Sequence, residues 1–233
     1  MNLNKKAFTD NLKSFLYLIS IAIVMITLLF TKSVTNIRDT ELIVTNLAKI
    51  TDIPNTVTSV ILGTRLFDTI GEVTVFTLAG LGVKILLHKE ESEKELFGIK
   101  DKTVIQLLDL SALLCAFLAI ELAIRGHLTP GGGFASGVSG ATSITLLMIT
   151  GRLQNLEDFY FKYNAIAIEK FAVIIFIAVS ILSFYSIMKP TIFGLSFPQE
   201  LLIPSLNIIC AIKVTFGTWS IIRLFILKRG LLN

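Results

Sequence analysis

The chain has 233 residues and a formal net charge of +4; 53% of it is hydrophobic, only 16% is charged, and the mean hydropathy is +0.77. A soluble domain carries about 25% charged residues, so a soluble globular domain is excluded. The basic residues form no stripe interleaved with aromatics, which excludes nucleic acid as a partner, and Cys115 and Cys210 both lie inside apolar runs, which excludes a disulfide framework and a metal site.

Apolar runs of about 20 residues mark membrane-spanning helices. Six are predicted: Ser14 to Phe30, Thr69 to Leu87, Thr103 to Ile124, Phe134 to Thr150, Ala165 to Ile187 and Leu201 to Leu227. The fold class is therefore all-α, a polytopic membrane helix bundle of about six spans. A cleaved signal peptide is the rival for the first run, but no small-x-small cleavage site follows it.

The stretch from Asp52 to Phe67 is ambiguous. Asp52 is placed to cap a helix with Pro54 in its first turn. That helix either lies in the interface or runs straight into the second span. A continuous helix over 54–87 would be about 50 Å long, against a hydrocarbon core of about 30 Å, which predicts a break or a strong tilt. Gly71 is the expected place for the break.

The 88–102 loop is densely charged and reads as a solvated cytoplasmic connector and as a seam, with two spans before it and four after. The 151–164 loop carries two basic residues and no recognisable motif. Lys and Arg number eleven on the side of the two termini and six on the other. The positive-inside rule places both termini in the cytoplasm.

Between the third and fourth spans the chain reads Arg125-Gly126-His127-Leu128-Thr129-Pro130-Gly131-Gly132-Gly133-Phe134. Consecutive glycines open dihedrals closed to other residues and let backbones approach. Backbone of this kind survives at membrane depth only when packed in protein or lining a wet cavity. Pro130, Gly131, Gly132 and Gly133 form a structural loop that packs the third span against the fourth, and the small residues from Ala135 to Ala141 continue that contact. A phosphate cradle is rejected, because the Gly-Lys-Ser/Thr ending is missing.

Charges deep in lipid cost about 2.5–3.5 kcal/mol each on insertion scales and face bundle interiors. Lys213 lies at the middle of the sixth span and reads as a proton-carrying group or a structural ion-pair partner. Asn207 reads as an interhelical hydrogen bond. Asp68 and Glu72 share one helix face, with Arg65 placed to pair with Asp68. They read as a carboxylate pair that relays a cation, or as a salt-bridged helix entrance. Glu121 and Arg125 form an expected local ion pair. Asp109 reads as a helix-entrance or partner-facing carboxylate. His127 is placed to titrate beside the glycine run. Glu169 and Lys170 are expected to snorkel at an interface. The candidate ion and proton path is thus Asp68, Glu72, Lys213, His127, Asp109 and Glu121, with no catalytic residue, no metal and no cofactor.

Gly137-Val138-Ser139-Gly140-Ala141 resembles the nucleophile region of rhomboid intramembrane proteases. Those enzymes pair the serine with a histidine of the sixth span, where this chain has none. A Ser139–Lys213 dyad is the remaining proteolytic reading. Small-residue packing explains the same letters.

The block Gly126 to Gly137 resembles the signature of the MnhB/MrpB family, one of the membrane subunits of Mrp-type sodium/proton antiporters, and so does the block Ile203 to Val214. The resemblance begins near Leu107 and runs to the C-terminus; four spans is that family's size. The block Val57 to Val75, with its Phe-Asp-Thr-Ile-Gly-Glu core, is similar to the C-terminal end of MrpA, the large subunit of the same antiporters; in membrane-bound hydrogenases that end is a separate small subunit. The resemblance implies two parts, residues 1–100 like the end of MrpA and residues 101–233 like MrpB. It implies a non-catalytic, multi-pass subunit of a sodium/proton antiporter complex in the cell membrane, contributing to a hydrated proton or sodium path. The alternatives are the antiporter module of an energy-converting hydrogenase or related respiratory complex, and a purely structural scaffold. Its partners would be sister membrane subunits, sodium ions and protons, and the lipid bilayer.

Overall fold

The computed structural model describes residues 19, 26, 41–42, 45–46, 49, 51–90, 99–188, 191–192 and 195–229. The chain divides into two compact units, Met1–Ile43 and Val44–Asn233. In the first, Ile19, Ile26, Glu41 and Leu42 are described, and all are helical. Apart from Ile19 and Ile26, the predicted first span lies outside the described residues, as do Glu91, Glu93, Lys94 and Glu95 of the 88–102 seam.

The second unit is a helix bundle. A short helix α1 (Thr56–Ser59) passes through a wide turn (Val60–Thr64) into α2 (Leu66–Leu86). Then come α3 (Lys102–Arg125) and α4 (Gly133–Leu147), a second wide turn (Met148–Arg152), and α5 (Leu153–Lys162). The long α6 (Ala165–Met188) leads to a two-residue hairpin, β1 (Thr191–Ile192) with β2 (Leu195–Ser196), and then α7 (Gln199–Arg229). Five helices among the described residues are long and apolar enough to cross a membrane, at the five positions expected there.

Three local expectations are corrected. Asn55, not Asp52, caps α1: its side-chain oxygen accepts from the Val57 and Thr58 N–H groups. Asp52 sits instead at φ 51, a conformation short polar residues tolerate. The break before the second span falls at Arg65, with φ −103 and ψ 20, and not at Gly71, which lies within regular α2. The wide turn ends there because the Arg65 N–H bonds back to the Val60 carbonyl. The 151–164 connector contains a helix, α5; Gly151 at φ 91 redirects the chain into it.

Helix α7 is the hub: it packs against α2, α3, α4 and α6. Half of its apolar stretch is buried, against 6% for that of α3. Its inward stripe, Ile203, Leu206, Cys210 and Val214, meets Leu66, Val73 and Phe176 in one core; Trp219 and Ile226 meet Met148 and Tyr160 of the second wide turn and α5 in another. The contact between α4 and α7 is close enough that a Cβ on Gly133 would fall 2.5 Å from the Asn207 carbonyl oxygen and 2.8 Å from Cys210 Cβ. That is why small residues occupy this face of α4.

Helix α3 meets α4 through a ladder of hydroxyls. Ser136, Ser139 and Ser143 donate to the carbonyls of Ala119, Cys115 and Ala112 at 2.6, 2.8 and 2.7 Å. Their spacing of three and four residues is one helix face, and each hydroxyl finds its acceptor inside the bundle. Ser139 is thus one rung of a packing ladder.

Candidate functional site

The loop between α3 and α4 is fixed from both sides. Gly131 and Gly132 adopt φ 144 and 90, conformations that need glycine, and Gly132 starts α4. From α7, Asn207 donates both amide protons, to the carbonyls of Leu122 (3.1 Å) and Ala123 (2.8 Å). From the other side, Asn55 Nδ2 donates to Gly126 O (2.9 Å) and Thr129 O (2.6 Å), and Thr58 Oγ1 donates to Gly126 O at 2.7 Å. The Asn55 N–H also reaches the His127 carbonyl. The Asn207 bonds satisfy two of the carbonyls in the last turn of α3, which lack partners within the helix, and the Asn55 and Thr58 bonds hold carbonyls of the loop that follows.

A cavity of about 490 Å³ lies beneath this loop. Its walls are α1 and the first turns of α2 on one side and the loop and α7 on the other. Asp68, Glu72, the run Pro130 to Gly133, Asn207 and Cys210 line it. The two sequence motifs, some 60 residues apart, therefore meet at one site. Asn207 is 1% exposed, and with its amide protons committed to α3, its Oδ1 is left buried without a hydrogen-bond partner among the described residues. A buried oxygen of this kind calls for a water or a cation.

Asp68 is paired as expected, Arg65 Nε donating to Oδ2 at 2.8 Å, and both side chains are more than half exposed. Exposed pairs of this kind contribute about 0–1 kcal/mol. Glu72 is exposed on this chain alone and forms no ion pair among the described residues.

The other candidates lie elsewhere. Lys213, 0% exposed, bonds Glu169 Oε1 at 3.2 Å, and its Nζ lies 4.1 Å from the Phe76 ring centroid. Glu169 therefore turns into the bundle and does not snorkel; only Lys170 beside it is exposed. A carboxylate near a helix start resembles an interfacial anchor in sequence, and only the position of α7 reveals its buried partner. Asp109 bonds Arg152 at 2.7 Å and pins α3 to the second wide turn. Glu121 lies 3.8 Å from Arg125, both well exposed. His127 does not line the cavity, and its Nδ1 is buried without a hydrogen-bond partner among the described residues. Glu157 and Arg223 form a bidentate pair stacked on Tyr160, a contact that no sequence motif announces.

Residues 103–220 match the family described as a domain related to the MnhB subunit of the Na+/H+ antiporter. The chain belongs to this family. The match takes in the glycine loop, the hydroxyl ladder and most of α7, so the MnhB-related domain supplies one wall of the cavity, and α1 and α2 supply the other. No curated protein matches the chain in sequence. In structure it is similar to a chain of the membrane-bound sulfane sulfur reductase, an archaeal respiratory membrane complex, with a TM-score of 0.61 and 22% identity over 93% of this chain and 99% of that chain. That likeness shows a shared fold extending beyond the MnhB-related domain. The protein is thus a multi-pass membrane subunit of antiporter type belonging to a multisubunit membrane complex.

Proposed function

We propose that this MnhB-family chain contributes one wall of an ion path in a sodium/proton-translocating complex of the cell membrane, with sister membrane subunits completing the wall that Glu72 faces. The observation that carries this reading is the cavity beneath the glycine loop, which gathers Glu72, Asp68 and the unpartnered Asn207 oxygen in one place. Glu72 is the relay group, because it is the cavity carboxylate without an ion-pair partner among the described residues. Asp68, held by Arg65, sits at the entrance. Lys213 supplies positive charge deeper in the path, whereas Asp109, Glu121 and His127 serve helix positioning. Residues 1–100 act as the MrpA-like part and residues 101–233 as the MrpB-like part of one fused chain. The chain carries ions and not chemistry.

The test is Glu72→Gln in the assembled complex, reconstituted in vesicles. Loss of sodium-dependent proton exchange with normal assembly supports the relay; full exchange refutes it. A second reading, the ion-translocating module of a respiratory complex driven by electron transfer, draws on the likeness to the sulfane sulfur reductase chain. Purification of the native complex with redox subunits attached would favour it. A scaffold role predicts the opposite phenotype for Glu72→Gln: less assembled complex, with unchanged turnover per complex.

A further inference from the structure

A second cavity, of about 340 Å³, lies further along the same two helices. On α2 the order is Asp68 and Glu72 in the first cavity, then Phe76, then Thr77 and Gly80 in the second. On α7 it is Asn207 and Cys210 in the first, then Lys213, then Gly217 and Ser220 in the second. Spacings of three and four residues keep the α7 series on one helix face, and spacings of four keep Asp68, Glu72, Phe76 and Gly80 on one face of α2. Phe76 and Lys213 line neither cavity and lie at the level between them. Their fit is tight: a Cβ on Gly217 would fall 2.6 Å from the Phe76 ring, 3.1 Å from Glu169 Oε1 and 3.1 Å from Lys213 Nζ. Glu169 lines the second cavity while holding Lys213.

We propose that the second cavity is a proton vestibule in series with the first, that Glu169 is its proton-binding carboxylate, and that Phe76 with Lys213 is the plug between the two. This rests on the ion path proposed above. Glu169 is the one carboxylate among the residues lining this cavity, which suffices for a proton, whereas a hard metal cation takes several oxygen ligands. The other charged groups on the lining are basic: Lys84 and Lys170 are exposed and Arg223 is paired with Glu157, while Lys213 is the inner partner of Glu169. A proton arriving by water converts the Glu169 carboxylate to the carboxylic acid. That step removes the anion that holds the Lys213 ammonium and leaves the Phe76 ring as its remaining contact of this kind among the described residues. The ammonium is then free to leave the plug, so protonation from one face opens the way to the other.

The experiment uses the whole complex in sealed vesicles of both orientations, with Cys115→Ala and Cys210→Ala as background. Silver ion, a thiol-reactive monovalent cation, is the probe. Thr69→Cys is expected to react only from the glycine-loop face and Thr77→Cys only from the opposite face. Adding Glu169→Gln, the uncharged equivalent of the protonated state, is expected to speed the reaction of Thr77→Cys from the glycine-loop face about ten-fold or more. Phe76→Ala is expected to do the same without touching a charge. If both thiols react from one face in the unaltered plug, the series arrangement is overturned; if Glu169→Gln leaves the rate unchanged while Phe76→Ala raises it, Glu169 is not the latch. Labelling is independent of exchange, so a failed Glu72→Gln test and a failed plug are separate results.

Discussion

Lys213 and Glu169 meet at 3.2 Å, the lysine fully enclosed and the carboxylate 16% exposed at its side chain. Removing one partner of such a pair leaves a buried charge and costs about 3–5 kcal/mol, whereas replacing both with apolar groups of similar size is often close to neutral. Lys213→Met or Glu169→Leu alone is therefore expected to lower the melting temperature of the complex strongly. The double variant should recover most of the loss. A double variant no better than the worse single one would show that the two groups are not coupled.

Asn55 performs two tasks with one side chain: its oxygen caps α1 and its nitrogen clasps the glycine loop. Asn55→Ala is expected to cost about 1–2 kcal/mol for the cap alone. Asn55→Asp should keep the cap and lose the clasp. Thermal unfolding of the three forms ranks them, with Asp between Asn and Ala.

Gly133 and Gly82 are both helical glycines, but only Gly133 faces a backbone. A Cβ there would meet Asn207 O at 2.5 Å, and one on Gly82 meets nothing within 4 Å. Gly133→Ala is expected to reduce assembled complex sharply, and Gly82→Ala to leave it unchanged. Equal yields for the two would contradict the close α4–α7 contact.

Ser139→Ala removes one rung of the hydroxyl ladder. Interhelical bonds of this kind average about 0.6 kcal/mol in membranes. A small loss of stability with ion exchange intact is expected, and serine-reactive probes should leave the native protein unlabelled. Labelling at Ser139 would revive the proteolytic reading.

Much of this fold is legible in the sequence because lipid imposes a length rule. The five described spans fall where apolar runs of about 20 residues predict them. The glycine loop is legible for a similar reason, since three successive glycines have few uses at membrane depth. The N-terminal cap is not legible, because Asp52 and Asn55 are equally good capping residues; Asn55 gains from acceptors on a loop distant in sequence. Helix α5 escapes the apolar-run rule because its apolar face is short and answers to Trp219, a residue of another helix. Glu169 is ambiguous for the same cause: a carboxylate on an apolar helix has two outlets, water and a buried cation, and only tertiary geometry selects between them.

Asn207 ties both amide protons to the end of α3, on the helix that also carries Lys213. Any slide or rotation of α7 must pull the roof over the first cavity with it. Any displacement of α7 that followed protonation of Glu169 would reach the glycine loop through these bonds. By reciprocity, an ion that stiffened the roof would then bias the Glu169 latch by the same free energy.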